Sequence, residues 1–258
     1  MSGSAAPSVT ALYRYAVKGL SPEALPSVTL AAGGTMPFDR AYAIENGPGR
    51  FDPESPRHLP KITFLMLMRD ERLATLVTTF DDATETLTVM RGGKQVARGQ
   101  LSTPLGRKMI EQFFAAYMQS ELRGPPKVVS APGHSFSDVA MKCLHIVNLA
   151  TVRDLERVVG RPIDPLRFRA NVYIDGLEPW VERSWVGNEI AIGGIRCAIV
   201  KDTVRCEATN VDPQTAARDM AIPSTLLRTW RHSDLGVYGK IVSGGQLAVG
   251  DAVVAPGA

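Results

Sequence analysis

The chain contains three cysteines, and their neighbours differ in character. Cys143 and Cys197 lie in apolar runs, where a thiol usually packs as a small hydrophobic group. Cys206 instead follows Lys201-Asp-Thr-Val-Arg205 and precedes Glu207, which places it at a surface or in a cleft. A guanidinium beside it would favour the thiolate, the form that binds metals or attacks electrophiles. An incidental free thiol in a polar turn would give the same pattern, so the neighbours alone do not decide.

A second group of reactive side chains lies in the segment Arg167-Phe-Arg-Ala-Asn-Val-Tyr-Ile174. Its alternation predicts a strand with one apolar face and one polar face. The polar face would carry Arg167, Arg169, Asn171 and Tyr173. Two guanidiniums and an amide in a row suit a phosphate or a polar heterocycle. A solvated sheet face with charges is the alternative that the pattern leaves open.

Other kinds of catalytic site find little support in the sequence. The spacing of Cys and His fits no zinc cage, and there is no nucleophile elbow, P-loop or dinucleotide-binding glycine motif. No pair of carboxylates stands out for hydrolysis. A single thiolate beside arginines makes a poor metal site unless an organic cofactor supplies most of the ligands.

Composition and charge narrow the class of protein. The chain has 258 residues, of which 45% are hydrophobic and 21% charged, as is typical of a soluble globular protein. A net charge of +3 is too small to indicate a nucleic-acid partner. The longest apolar runs fall far below the roughly 18–20 residues that span a bilayer, so we expect no membrane association. The N-terminus lacks a secretion signal and the cysteines lack a disulfide framework, so we expect a cytoplasmic monomer.

Short β-like runs dominate the first half of the chain and predict a barrel or sandwich. The runs are Val9–Val17, Ser27–Ala31, Arg40–Glu45, Leu73–Phe80, Thr86–Arg91 and Lys94–Leu101. The step Arg91-Gly-Gly-Lys94 predicts a hairpin with a two-glycine turn.

Capping signals predict three helices. One begins at Thr103, a capping residue followed by Pro104 at the first helical position. The next has Asn148 as its N-cap and stops at Gly160. A short third helix follows Pro223. The apolar stripe of the first helix indicates core packing and no function.

Four stretches, in order along the chain, resemble the MOSC-domain family, and within it the mitochondrial amidoxime-reducing components. They are Tyr15-Ala-Val-Lys-Gly-Leu20, Asp39-Arg-Ala-Tyr-Ala-Ile44, Arg167-Phe-Arg-Ala-Asn-Val172 and Val204-Arg-Cys-Glu-Ala-Thr-Asn-Val-Asp-Pro213. The family's corresponding patterns are Tyr-Pro-Val-Lys, Asp-Arg-x-Trp, Phe-Arg-Pro-Asn and Arg-Cys-x-x-Thr-x-Val-Asp-Pro. The resemblance runs from Tyr13 to Val254 and implies a mainly β fold with a few helices, of the α+β class. Pro-Pro at 125–126 then separates an N-terminal MOSC-associated β-barrel domain (1–125) from a β-barrel-like MOSC domain (126–258).

The resemblance implies a molybdenum site in which Cys206 is the catalytic thiolate and the protein ligand to the metal. It assigns the pterin and its phosphate to Lys18, Arg40, Arg169, Asn171, Arg205 and Tyr238. Asn148 and Thr151, at the start of the second helix, would add backbone N–H groups for the phosphate. The chain departs from the family at Ala16, Gly19 and Ala170, and Met141-Lys142 stands where the family has a Thr-Ser pair.

The function that follows is a molybdenum-cofactor (Mo-molybdopterin) oxidoreductase that reduces N-hydroxylated or N-oxygenated small molecules. His134, Ser135 and Asp138, in a polar loop, are candidate proton donors. The chain ends at Ala258 without a cysteine-rich domain, so we expect no iron–sulfur cluster and an external electron-transfer protein. Two alternatives stay open. One is a cofactor or sulfur carrier that uses a persulfide on Cys206, and the other is a β-barrel that binds a phosphorylated small molecule without redox chemistry.

Overall fold

The computed structural model describes residues 6–47 and 49–256, and strands dominate these residues. The predicted class, mainly β with a few helices, is confirmed. The helices are α1 (Pro104–Tyr117), α2 (Leu149–Val159) and α3 (Ile222–Trp230). The strands are β1 (Ser8–Arg14), β2 (Glu23–Leu25), β3 (Ser27–Leu30), β4 (Ala43–Asn46), β5 (Leu76–Asp81), β6 (Thr86–Arg91), β7 (Lys94–Gln100), β8 (Pro126–Val129), β9 (Leu144–Asn148), β10 (Val172–Asp175), β11 (Glu189–Ile192), β12 (Ile195–Val204), β13 (Asp234–Ser243), β14 (Gly245–Ala248) and β15 (Val253–Val254). None of the described helices is both long enough and apolar enough to cross a membrane.

Eight strands form the largest sheet, in the order β15-β11-β12-β13-β9-β10-β1-β2. β9 and β10 pair in parallel, and α2 supplies the crossover that a parallel pair requires. β10 then pairs antiparallel with β1, so the first strand of the chain joins strands from its second half. The core beneath this sheet combines Val9 and Leu12 with Trp185 and the aliphatic residues of β11 to β13.

A second core contains only residues between 16 and 128. It is built on the three-stranded sheet β5-β6-β7, against which α1 packs Ile110 and Phe114. The helix approaches the sheet closely where Gly106 faces Gln100 and Gly99. A Cβ atom at either glycine would overlap backbone atoms of the facing segment, so only glycine permits this packing.

The helix and turn signals of the sequence are confirmed. The hydroxyl of Thr103 and the amide oxygen of Asn148 each accept a backbone N–H from the first turn of α1 and α2. α2 ends at Gly160 in the left-handed region, with φ of 80°. Gly92 and Gly93 both have positive φ, as the predicted two-residue hairpin turn requires.

The predicted strand from Arg167 to Ile174 is wrong in its first half. Pro165–Phe168 forms a 3-10 turn, because proline presets φ and the carboxylate of Asp164 caps the turn by accepting the N–H of Leu166. Arg169 then takes a left-handed conformation, with φ of 52°. Strand pairing begins only at Val172.

The division of the chain after residue 125 stays a prediction, and strand pairing crosses it three times. β1 pairs with β10, β4 pairs with β8, and β3 pairs with β14. Residues before 125 therefore contribute to both cores.

Candidate functional site

A cavity of about 390 Å³ is lined by residues from both ends of the chain. Its volume lies within the range of ordinary small-molecule sites. Seven Lys or Arg side chains and three Asp side chains line it, so its wall carries an excess of positive charge. Seven of the nine residues singled out from the sequence are in this wall: Lys18, Arg40, Arg169, Asn171, Arg205, Cys206 and Tyr238.

Lys18 lies in the turn after β1, where its backbone N–H donates to the carbonyl of Tyr42. Its side chain is buried, and the ammonium donates to the carbonyl of Phe136 at 2.8 Å and to the carboxylate of Asp138 at 2.5 Å. Burial lowers the pKa of Lys18, and Asp138 opposes that change. Partial burial alone would raise the pKa of Asp138, but the charge of Lys18 outweighs it and lowers the pKa to about 2. Asp138 is therefore a carboxylate at neutral pH.

Arg40 and Arg169 lie against the same aromatic ring. Their guanidinium carbons are 4.6 and 4.2 Å from the ring centre of Tyr15. Arg40 donates to Asp39 and to the carbonyl of Arg169, and Arg169 donates to the carbonyl of Leu20 at 2.8 Å. Burial lowers the pKa of Arg169 to about 10, and the nearby charge of Arg40 adds to that effect. An anion in the cavity would relieve this unfavourable concentration of positive charge.

Both arginines have φ of 52°, in the left-handed region that side chains other than glycine rarely adopt. Such a conformation costs about 1 kcal/mol or more at each residue, and it persists only where the surrounding contacts fix it. Here the carbonyl of Tyr15 accepts the backbone N–H of Arg40, and the carbonyl of Leu166 accepts that of Arg169. The fold thus holds both arginines in strained conformations, a feature that is common at binding sites.

Asn171 lines the cavity, but its amide is already engaged with the backbone. It accepts the N–H of His145 at 3.1 Å and donates to the carbonyl of Tyr13 at 3.2 Å. Asn171 therefore ties β9 to β1 beneath the cationic residues. Tyr238 comes from β13, and its ring lies 5.6 Å from the ammonium of Lys201.

Cys206 follows β12, immediately before a 3-10 turn at Glu207–Asn210. Its carbonyl accepts both the N–H and the hydroxyl of Thr209, which fixes the turn. Cys206 is partly exposed in the cavity wall, whereas Cys143 and Cys197 are buried. Burial raises the pKa of Cys143 to about 11 and that of Cys197 to about 12, so both are thiols at neutral pH.

Arg205, beside this cysteine, is held from two directions. One terminal nitrogen donates to the carbonyl of Phe168 at 2.7 Å, and the other lies 3.2 Å from Nε2 of His145. Its Nε is buried and has no hydrogen-bond partner among the described residues. A buried N–H without a partner is costly, so the contacts of the two terminal nitrogens must offset that cost to keep the guanidinium here.

The residues present fit a metal-bearing organic anion better than a bare metal ion. Within residues 6–47 and 49–256, no group of three or more His, Cys, Asp or Glu side chains is arranged to hold a metal. The cavity offers one partly exposed thiol and a cationic wall. An organic ligand that carries phosphate and supplies most of the metal's ligands matches this set of donors.

Asn148 and Thr151 are not brought to this cavity. Both are buried, and both side chains donate to the buried carboxylate of Glu182. The hydroxyl of Thr151 also accepts the backbone N–H of Trp180 at 2.8 Å. The start of α2 is therefore occupied by contacts within the fold, which leaves these two side chains no part in the cavity wall.

Sequence reasoning missed several residues of the cavity. Lys61, Met66–Met68 and Lys201 line it, although no motif marks them. His145 also lines it, although its place in an apolar strand is typical of a core residue. Of the three proton-donor candidates in the polar loop, Asp138 lines the cavity. His134 packs against aromatic rings, and Ser135 donates to the carbonyl of Asp39.

Comparison with known proteins finds a match to the second half of the chain. Residues 132–254 match the family profile of the MOSC domain. This part of the chain is similar to MOSC domains. It contains Arg169, Asn171, Arg205, Cys206 and Tyr238, whereas Lys18 and Arg40 reach the cavity from outside the matched range.

Curated relatives align at modest identity. Mitochondrial amidoxime-reducing component 1 of Mus musculus is 33% identical over 104 residues, which cover 39% of this chain and 30% of that protein. Mitochondrial amidoxime reducing component 2 of Rattus norvegicus is 29% identical, with 43% of this chain and 36% of that protein covered. Molybdenum cofactor sulfurase of Caenorhabditis elegans is 24% identical over 244 residues, which cover 90% of this chain and 33% of that protein. The chain thus spans about a third of the length of these relatives.

Two solved structures are similar at low identity. YuaD from Bacillus subtilis gives a TM-score of 0.44 at 13% identity, with 96% of this chain and 94% of that chain covered. YiiM from Geobacillus stearothermophilus gives a TM-score of 0.35 at 17% identity, with 43% and 53% covered.

Proposed function

We propose that this chain binds a molybdenum cofactor in the cationic cavity and reduces N-hydroxylated or other N-oxygenated compounds. The observation that carries the proposal is the placing of Cys206, a partly exposed thiol, in a wall that also holds seven cationic side chains. The amidoxime-reducing relatives support the choice of substrate, and the MOSC domain supports the choice of cofactor.

Each of the seven predicted residues in the wall has a part in holding the cofactor. Cys206 is the thiolate ligand to the metal, because a soft sulfur donor suits a molybdenum centre. Lys18, Arg40 and Arg169 neutralise the phosphate, and Arg205 places a positive charge beside the metal ligand. Asn171 holds the backbones of β9 and β1 together beneath the cationic side chains, and Tyr238 of β13 forms another part of the wall.

The reaction consumes two electrons and two protons: the N–OH compound becomes the N–H compound, and the oxygen leaves as water. The cofactor, when bound, supplies the two-electron chemistry, and the protein supplies binding, orientation and charge. Electrons arrive from a separate donor protein. Asp138 is ionised at neutral pH, since its pKa lies near 2, so it does not store the proton that the reaction consumes. Its role is to hold the ammonium of Lys18 in place.

The test is molybdenum analysis of chain produced in a host that makes the cofactor. We expect close to one molybdenum per wild-type chain and a background level in Cys206→Ala. Cys143→Ala is the matched control, because that thiol also lines the cavity but is buried. It should keep its metal. Loaded wild type should then reduce benzamidoxime with a chemical reductant. Equal molybdenum in Cys206→Ala and wild type would contradict the assignment of the ligand.

A second function is favoured by one observation. The alignment with the sulfurase of Caenorhabditis elegans covers 90% of this chain. In that case the thiolate of Cys206 would take the outer sulfur of a donor persulfide, the donor would leave as a thiolate, and the chain would transfer that sulfur to a nucleophilic acceptor. Mass spectrometry of protein purified without reductant separates the two functions. A persulfide adds about 32 Da, one sulfur atom, to the peptide that contains Cys206. An unmodified peptide together with bound molybdenum favours the reductase.

A further inference from the structure

We propose that His145 is a positioning residue for Arg205: the neutral imidazole, protonated on Nδ1, fixes the guanidinium so that its positive charge stays beside Cys206 and serves a ligand bound there. The inference relies on the proposed function only for the identity of that ligand. The contact itself is a property of the chain.

The tautomer follows from the donors that face the ring. Nε2 of His145 lies 3.2 Å from a terminal nitrogen of Arg205, and a guanidinium can only donate. Nε2 must therefore be unprotonated, and the proton lies on Nδ1. Burial, together with the charge of Arg205, lowers the pKa of His145 well below its usual value, which agrees with a neutral ring.

The backbone of β13 passes close to Nε2 of His145 at Gly236. This glycine has φ of 82°. A Cβ atom there would lie 2.9 Å from Nε2 of His145 and 2.6 Å from the carbonyl of Ile146. The side chain of a larger residue at position 236 would overlap the nitrogen that accepts from Arg205. Glycine at this position therefore lets the imidazole stay within hydrogen-bond distance of the guanidinium.

The imidazole supplies one of the two hydrogen bonds that orient Arg205. The other is the bond to the carbonyl of Phe168, whose ring also lies 5.5 Å from the guanidinium carbon. With both terminal nitrogens engaged, the guanidinium cannot turn about its long axis. The positive charge of Arg205 is then held in place beside Cys206 before a ligand arrives. Such preorganisation lowers the cost of binding.

Four variants test the proposal: His145→Phe, His145→Gln, Arg205→Met and the double variant His145→Phe/Arg205→Met. Phenylalanine keeps the ring and removes the acceptor, whereas the amide oxygen of glutamine can replace Nε2. Molybdenum and pterin retained per chain after exhaustive dialysis is the first readout. We expect His145→Phe to weaken retention about tenfold, equivalent to about 1.4 kcal/mol. We expect glutamine to restore most of it, and the double variant to match Arg205→Met alone. Additive losses, or no rescue by glutamine, would overturn the proposal.

The second readout does not need the cofactor. NMR of protein labelled at histidine reports which ring nitrogen of His145 carries the proton. We expect the Nδ1–H form, with a change in the Nε2 signal in Arg205→Met. An Nε2–H form would overturn the proposal even if molybdenum binds. If wild type binds no molybdenum, the proposed function fails, and the affinity of the same four variants for inorganic phosphate replaces metal retention. The same pattern of rescue and non-additivity is then required.

Discussion

Thr151→Val is expected to destabilise the fold and to leave the cavity intact. The valine has nearly the shape of threonine but no hydroxyl. In the structure that hydroxyl donates to the buried carboxylate of Glu182 and accepts the backbone N–H of Trp180. A hydrogen bond to a charged group contributes about 1.5–3 kcal/mol, and a buried N–H left unpaired costs about 1–3 kcal/mol. Part of the second cost is avoided because Trp180 is only partly buried. We therefore expect a loss of about 3 kcal/mol in the free energy of unfolding.

Scanning calorimetry measures this loss directly. For a chain of this size, about 3 kcal/mol corresponds to a fall of roughly 6–12 °C in Tm. Thr151→Ser is the matched control, because it keeps the hydroxyl, and it should recover most of the difference. Molybdenum content of the folded protein is measured in parallel and should equal that of wild type. A variant with wild-type Tm and lost molybdenum would refute the reasoning, because it would return Thr151 to the cofactor site.

Two further changes test the packing and the charges. Gly106→Ala should lower the free energy of unfolding by about 1–3 kcal/mol, because its Cβ would overlap the backbone of Gln100 and move α1 away from the sheet. Urea unfolding measures this loss, and an unchanged midpoint would contradict the prediction. The pKa of Asp138 is depressed from 3.8 to about 2, so its pair with Lys18 stabilises the fold above pH 3.8 and that contribution is lost as the pH falls through 2. Asp138→Asn should therefore flatten the dependence of stability on pH between 3.8 and 2, and an unaltered acid-unfolding curve would argue against the pair.

Local signals predicted the helices and the hairpin because the residues that decide them are neighbours in sequence. Thr103, Asn148 and Gly160 all act within one helical turn of their position. The strand predicted from Arg167 failed for a related reason. Alternation of side-chain type does not reveal that Asp164 and Pro165 turn the chain before pairing begins. The turn still delivers the same arginines to the cavity.

The site was partly predictable for a different reason. Cys206 and its cationic partners lie in short segments of recognisable pattern, and the structure places seven of the nine chosen residues in one wall. Lys61, Lys201 and His145 lie in segments without such a pattern, and only the folded chain brings them there. Asn148 was chosen because a helix start suits an anion in general, but it does not line this cavity, and its side-chain amide donates to Glu182, a residue of the same fold.

The pairing of β1 with β10 sets an order of events during synthesis. Lys18 and Arg40 leave the ribosome before Cys206 and Tyr238, whose side chains line the same cavity. Thr10, in β1, donates to the carbonyl of Tyr173, a contact across 163 positions in sequence. Contacts at such separation form late and slowly. The cavity wall is therefore complete only after Tyr238 has been synthesised and β1 has paired with β10.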